Sequence, residues 1–115
     1  MNDADTTLAE LRELVRRFVA ARHWESAHQG KNLAMSIAIE AAELMEHFQW
    51  HSNDAGLDPA ERAAIAEEVA DVAIYTLSFC NRLGIDLAAA IAAKVAKNEV
   101  RFPIAGAASQ LSEES

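Results

Sequence analysis

The chain has 115 residues, 51% of them hydrophobic, and a formal net charge of −8. The length predicts a single domain. The negative charge argues against duplex nucleic acid as a partner, because the phosphate backbone is bound through basic side chains. A single nucleotide held through a cation remains compatible with this charge. The single cysteine, Cys80, excludes an intramolecular disulfide, and its apolar surroundings in the sequence predict a small buried side chain.

The distribution of polar residues predicts a cytoplasmic protein. The amino terminus is polar and acidic, unlike a secretory signal, and no uncharged apolar run is long enough to span a bilayer. A chain of this size buries only a modest core by itself. Oligomerisation is therefore open as a source of further burial.

The first half of the chain predicts two helices. The first begins near Thr7, which has capping-box spacing to Glu10, and runs to about His23. The polar segment "HWESAHQGK" connects it to the second helix, which runs from about Asn32 to about Trp50.

A third, longer helix follows a turn-rich segment. Asp58 and Pro59 provide a cap and a proline at the first helical position, and Glu61 completes a second capping box. The helix continues to Leu83 and ends at Gly84.

Asp86 can cap the fourth helix, which ends before Pro103. Because only two residues separate helices three and four, we expect them to be antiparallel neighbours. No strand-like alternation occurs, so the sequence predicts an all-α, four-helix domain over residues 1–103. Residues 104–115 have the composition of a disordered tail.

Two pairs of carboxylates stand in otherwise apolar helical sequence. Residues three apart share one helix face, so each pair projects together; the pairs are Glu40 with Glu43, and Glu68 with Asp71. Like charges at this spacing repel, and burial makes the repulsion worse. Two such pairs on adjacent helices could converge on one hard divalent cation, of which Mg²⁺ is the usual example.

A solvated helix surface is the alternative for each pair, although "VADVAIY" around Asp71 is apolar on almost every side. A zinc site is a weaker alternative. His47 and His51 have the required spacing, but no glutamate follows the first histidine.

Helix four carries a polar stripe formed by Lys94, Asn98 and Arg101. Ammonium and guanidinium groups neutralise phosphate oxygens, and an amide donates hydrogen bonds to them. The stripe therefore fits a polyphosphate clamp, with a solubilising helix face as the alternative.

Aromatic side chains lie in or beside the two connections. Trp24 and Trp50 could stack on a nucleobase or cover the core. His28 is either a ligand contact or an ordinary polar loop residue. Tyr75 follows Asp71 by one turn, so its hydroxyl could reach the carboxylates.

These motifs together resemble the all-α nucleotide pyrophosphohydrolases related to MazG, most closely the dCTP pyrophosphatase branch. The resemblance covers roughly residues 8–103 and rests on four blocks in order: "HWESAHQGKNL", "EAAELMEHFQW", "EEVADVAIY" and "KVAKNEVRFP". One departure is Val15, where the branch can carry a substrate-contacting histidine. The base preference is therefore open.

The resemblance implies a role for each matching residue. The implied Mg²⁺ ligands and catalytic carboxylates are Glu40, Glu43, Glu68 and Asp71. The implied substrate contacts are Trp24, His28, Trp50, Tyr75, Lys94 and Asn98.

The implied reaction is Mg²⁺-dependent hydrolysis of a nucleoside triphosphate, dCTP or a modified dCTP, to the monophosphate and pyrophosphate. It would serve nucleotide-pool house-cleaning in a homo-oligomer, a tetramer or a dimer. Two alternatives remain: the same fold acting on dUTP or phosphoribosyl-ATP, and a non-enzymatic helical oligomer.

Overall fold

The structure is a computed structural model that describes residues 1–51 and 54–104. It contains α1 (Leu8–Ala21), α2 (Gly30–Glu46), α3 (Pro59–Leu83) and α4 (Leu87–Arg101), with a short 3₁₀ turn at Asp54–Gly56. No strand occurs in these two ranges. The all-α class and the four predicted helices are confirmed. The predicted tail, apart from Ile104, lies outside the described residues.

The predicted caps form the helix starts. The backbone N–H of Glu10 donates to Thr7 Oγ1 at 3.1 Å, and Glu10 Oε1 accepts from the Thr7 N–H at 2.9 Å. Asp58 and Glu61 repeat this reciprocal pair at the start of α3, at 2.8 and 3.2 Å. Each box satisfies N–H groups that have no partner within the helix. The starts of both helices are therefore as predicted.

The second helix differs from its predicted bounds at both ends. It begins at Gly30, two residues early, after Gln29 in an extended conformation. It ends at Glu46 and not at Trp50, because the following N–H groups turn back to the third residue before them. His47 donates to the Leu44 carbonyl at 3.3 Å and Phe48 to that of Met45 at 3.0 Å. These tighter bonds replace the α-helical ones and end the helix.

The first helix ends at Ala21, two residues before the predicted end. His23 adopts a left-handed backbone with φ of 55°. Trp24 N–H then donates to the Val19 carbonyl at 3.1 Å, which closes the helix end. This reversal starts the connection that carries Trp24 and His28.

The described part of the chain divides into two compact units, with the boundary between Gly84 and Ile85. In the first unit α3 packs against both α1 and α2. Its buried apolar side chains are Val15, Val19, Leu33, Leu77 and Cys80. The expectation of a buried cysteine is confirmed, with Cys80 only 3% exposed.

The described part of the second unit consists mainly of α4, and none of the residues of this helix is buried. Asp86 caps it by accepting from the Ala89 N–H at 3.0 Å. The antiparallel pairing of helices three and four stays a prediction. Across the described ranges, no helix has both the length and the hydropathy needed to cross a membrane.

Candidate functional site

Packing of α2 against α3 brings three carboxylates to one point. Glu40, Glu68 and Asp71 each offer an oxygen, and the three oxygens all lie within 4.8 Å of one another. Oxygens on opposite sides of a Mg²⁺ ion are about 4 Å apart, since each bond is about 2.0–2.1 Å long. The three side chains are therefore a candidate site for a single small cation.

Glu43 lies beside this cluster and not within it. The residue is exposed, and its carboxyl group is one of the causes that raise the pKa of Glu40. Glu43 therefore faces solvent next to a group of possible metal ligands.

The setting of Glu40 favours its protonated form in the absence of metal. The pKa of this carboxyl is raised to about 7, chiefly by burial and then by the neighbouring Glu43 carboxyl and the negative charges of Asp71 and Glu68. Desolvation and like charges both penalise the ionised form. A bound cation would reverse this balance, because it is the largest local charge in such a site.

Two carboxylate oxygens at this point are left without a protein partner. Glu40 Oε2 and Glu68 Oε2 are buried and accept no hydrogen bond from the described residues. Buried polar atoms normally have a partner, so each unsatisfied one requires an explanation. An all-oxygen donor set with two orphaned atoms fits a hard divalent cation such as Mg²⁺.

The two histidines considered for zinc do not face each other. His47 Nε2 lies 3.7 Å from Glu68 Oε1, whereas His51 Nε2 lies 2.8 Å from Glu61 Oε2. Each imidazole therefore points to a different carboxylate. The geometry gives no support to a shared zinc site.

A row of aromatic rings runs from the first connection onto α3. The ring centroids of Trp24 and His28 are 6.0 Å apart, and those of His28 and Tyr75 are 6.3 Å apart. Phe18 meets Trp24 edge to face at 5.6 Å. Three of the predicted substrate contacts are therefore neighbours in space.

Trp50 is more exposed than Trp24, at 88% against 44%. This exposure is inconsistent with a role in covering the core of the chain. Val15, by contrast, is 7% exposed and belongs to the core between α1 and α3.

A cavity of about 370 Å³ opens beside the aromatic row. Val19 of α1, Glu25 and His28 of the connection, and Ser78 and Asn81 of α3 border it. Asn81 joins α3 to α1, since it accepts from Arg12 Nε at 3.0 Å and donates to the Arg12 carbonyl at 3.1 Å. Sequence reasoning missed Ser78 and Asn81. The available signal was Ser78, a polar residue one turn after Tyr75 in the apolar run "YTLSFC".

Lys94 and Asn98 lie on α4, in the second unit. Lys94 is exposed and Asn98 is half-buried. Their side chains are four residues apart and share a face of that helix. Contact of either with the phosphates of a substrate stays a prediction.

This chain matches one protein family, several curated proteins and a solved structure, and the names of these proteins agree with one another. The sequence model of the MazG-like family matches residues 35–114. The proteins named dCTP pyrophosphatase 1 from rat and human are 38% and 39% identical to this chain, over 87% and 86% of its length. The chain spans 61% of the length of each of these relatives.

A solved structure shows that the likeness extends to the fold. The crystal structure of a pyrophosphatase from Archaeoglobus fulgidus matches with a TM-score of 0.76 and 35% sequence identity. The match covers 90% of this chain and 99% of that one. The two proteins are thus similar both in sequence and in fold.

Proposed function

Because the chain belongs to the MazG-like family, we propose that it is a Mg²⁺-dependent nucleoside triphosphate pyrophosphohydrolase. The preferred substrate is dCTP or a modified dCTP, and the products are the monophosphate and pyrophosphate. The observation that carries the proposal is the meeting of Glu40, Glu68 and Asp71 oxygens within 4.8 Å. The relatives named dCTP pyrophosphatase support the substrate class.

The three converging carboxylates would hold the metal ion. Glu40 and Glu68 would use the buried oxygens that now lack partners. The bound ion supplies neutralisation of phosphate charge and a lower pKa for a coordinated water. His47, 3.7 Å from the other oxygen of Glu68, would restrict the orientation of that ligand.

Glu43 is the best placed general base, because it is exposed and lies outside the group of three. In the proposed step a water oxygen bonds to the α-phosphorus as the bond from that phosphorus to the bridging oxygen breaks. The water proton passes to a carboxylate, and pyrophosphate leaves in line.

Recognition of the substrate falls to the aromatic row and to α4. Trp24, His28 and Tyr75 would contact the base and sugar, and the exposed Trp50 is available to stack on the base. Lys94 and Asn98 would meet the phosphates, with the ammonium offsetting charge and the amide donating hydrogen bonds.

Exposed apolar side chains support assembly into a homo-oligomer. On α2 Met35 and Ile39 are 50% and 56% exposed, and on α4 Ile91 and Val95 are 52% and 50% exposed. Both pairs are one helical turn apart and form apolar strips of the kind that other chains cover. We propose a tetramer, with a dimer as the alternative.

The activity is tested with the canonical ribo- and deoxynucleoside triphosphates, 5-methyl-dCTP and phosphoribosyl-ATP, each with Mg²⁺. Phosphorus NMR identifies the products. We expect monophosphate and pyrophosphate, with cytosine deoxynucleotides preferred, and loss of turnover in EDTA and in Asp71→Asn. Glu67→Gln, an exposed neighbour on α3, is the matched control and should remain active.

Orthophosphate and a diphosphate as primary products would overturn the reaction assigned here. A preference for dUTP or phosphoribosyl-ATP would keep the reaction and replace the substrate. Inactivity toward every compound would favour the non-enzymatic oligomer.

A further inference from the structure

The hydroxyl group of Ser78 makes no hydrogen bond with the described residues. A serine or threonine inside a helix commonly donates to the carbonyl four residues earlier, and Thr76 does so to Val72 at 2.8 Å. Ser78 is only 6% exposed, yet its Oγ finds no partner among the described residues. A buried hydroxyl without a partner is costly and therefore indicates a ligand or an ordered water.

A second unpartnered atom borders the same cavity. His28 Nδ1 is buried and finds no hydrogen bond in the described part of the chain. Both His28 and Ser78 line the cavity of about 370 Å³, although one lies in the connection after α1 and the other on α3. Two residues from separate elements, each with a buried polar atom that lacks a partner, therefore line one cavity.

The charged side chains of the lining are partly engaged with other residues. Arg16 is bound by both oxygens of Glu13, at 2.7 and 2.6 Å. Arg82 donates to Gln29 Oε1 at 2.7 Å, and Glu25 adds a negative charge to the lining. The buried atoms of the lining residues that lack a partner are the Ser78 hydroxyl and the His28 imidazole nitrogen, which suit an uncharged group with hydrogen-bonding atoms.

The walls of the cavity favour a flat ring. Val19 and Ala20 supply an apolar side, and the planar imidazole of His28 also lines the cavity. The volume falls within the range of about 300–1,000 Å³ that is typical of small-molecule sites. A planar ring with polar atoms along one edge, such as a nucleobase, matches both features.

The position of the cavity is compatible with a nucleotide bound at the carboxylates. Ser78 follows Asp71 by seven residues, so it lies on the same face of α3 about 10 Å further along the axis. Tyr75 lies between them, with its ring 6.3 Å from that of His28. This separation leaves room for a sugar between a phosphate at Asp71 and a base at Ser78.

We propose that Ser78 determines base specificity, its hydroxyl and His28 Nδ1 together hydrogen-bonding the polar edge of the nucleobase. A hydroxyl both donates and accepts, and an imidazole nitrogen does one or the other according to its tautomer. The pair therefore reads a base edge with adjacent donor and acceptor atoms. The inference rests on the proposed function in taking the ligand to be a nucleotide.

The test measures dissociation constants of the four canonical deoxynucleoside monophosphates for the folded chain by calorimetry, without turnover. Wild type should discriminate among the bases. Ser78→Ala should reduce the ratio between the best and the next base by about tenfold, the effect of losing one buried hydrogen bond. Ser78→Thr, which keeps a hydroxyl, should retain the ranking of the bases.

Cys80→Ala is the matched control, because Cys80 is equally buried on the same helix and carries no polar atom that the proposal uses. It should leave the ratio unchanged. An unchanged ratio in Ser78→Ala, even with uniformly weaker binding, would show that the hydroxyl meets a water or nothing. Failure of the wild type to bind any monophosphate would also overturn the inference.

The inference and the proposed function fail in different ways. A chain that hydrolyses no triphosphate but binds monophosphates with Ser78-dependent selectivity would refute the reaction and retain the base site. A chain with normal turnover and the same ratio between the best and the next base in wild type and Ser78→Ala would retain the reaction and refute the base site.

Discussion

At the scale of one residue, the raised pKa of Glu40 shows the free-energy cost of bringing carboxylates together. Its pKa rises from 4.5 to about 7, first through burial and then through Glu43 and the other two carboxylates. Between these two pH values the unfolded chain releases the proton and the folded chain retains it. Raising the pH through this interval therefore destabilises the metal-free fold, because the folded state binds more protons than the unfolded state.

We expect Glu40→Gln to remove this pH dependence. Thermal melts in EDTA should show the variant gaining stability relative to wild type from pH 5 to pH 8, with a shift of a few degrees. Glu67→Gln, which removes the charge of an exposed glutamate on α3, should follow the wild-type profile. Parallel profiles of Glu40→Gln and wild type would mean that a cation or a basic group already neutralises Glu40.

Addition of Mg²⁺ should stabilise the wild type at pH 8. A ligand that binds only the folded state adds about 2.7 kcal/mol at a hundredfold excess over its dissociation constant. Asp71→Asn replaces one of the three converging carboxylates with an uncharged amide. This variant should therefore lose most of the rise in melting temperature that Mg²⁺ produces in the wild type. Equal shifts in wild type and Asp71→Asn would place the metal elsewhere.

At the scale of the elements, α1 is held on α3 by a polar tie as well as by apolar packing. Asn81 accepts from Arg12 Nε and donates to the Arg12 carbonyl, at 3.0 and 3.1 Å, in a part-buried setting. Asn81 also lines the cavity, so this tie between α1 and α3 lies at one of its walls. The same residue thus supports the fold and the shape of the candidate base site.

Asn81→Ala should destabilise the fold by about 1–3 kcal/mol, because it leaves partly buried groups of Arg12 without these bonds. Urea unfolding would measure the change. A double-mutant cycle with Arg12→Ala isolates the side-chain contact alone, since the carbonyl of residue 12 survives that substitution. Additive losses would show that the two side chains do not act together.

The end of α3 depends on the backbone freedom of one glycine. Gly84 has φ of 66°, the left-handed conformation that side chains with a Cβ disfavour. A Cβ there would meet no atom within 4 Å. A substitution therefore introduces no steric clash and measures the free-energy cost of the left-handed backbone conformation. Gly84→Ala should lower stability by about 1 kcal/mol, and Gly84→Asn by less, as thermal melts would show. Equal losses would point to another cause.

At the scale of the whole molecule, the exposed apolar strip of α4 is the feature that predicts assembly. We expect sedimentation to give a multiple of the 12.5 kDa chain mass. Ile91→Glu places a charge in the strip and should shift the distribution toward smaller species. Ala93→Glu, an exposed position on the opposite face of α4, is the control. An unchanged mass for both variants would move the interface away from this strip.

The sequence by itself determined what depends on neighbours along the chain. Thr7 with Glu10 and Asp58 with Glu61 set two helix starts, because capping groups lie within one turn of the N–H groups they satisfy. The three-residue spacing of Glu68 and Asp71 placed them on one face of α3. The end of α2 was missed, because the tight turns after Glu46 leave no distinctive residue in the sequence.

Only the tertiary structure decided which groups meet. Spacing gives the face on which Glu40 and Glu43 lie, but packing of α2 against α3 buries an oxygen of Glu40 and leaves Glu43 outside the cluster. The cavity that unites His28 with Ser78 likewise joins residues fifty positions apart. Such meetings depend on the rotation and depth of packed helices, which side chains distant in sequence determine together.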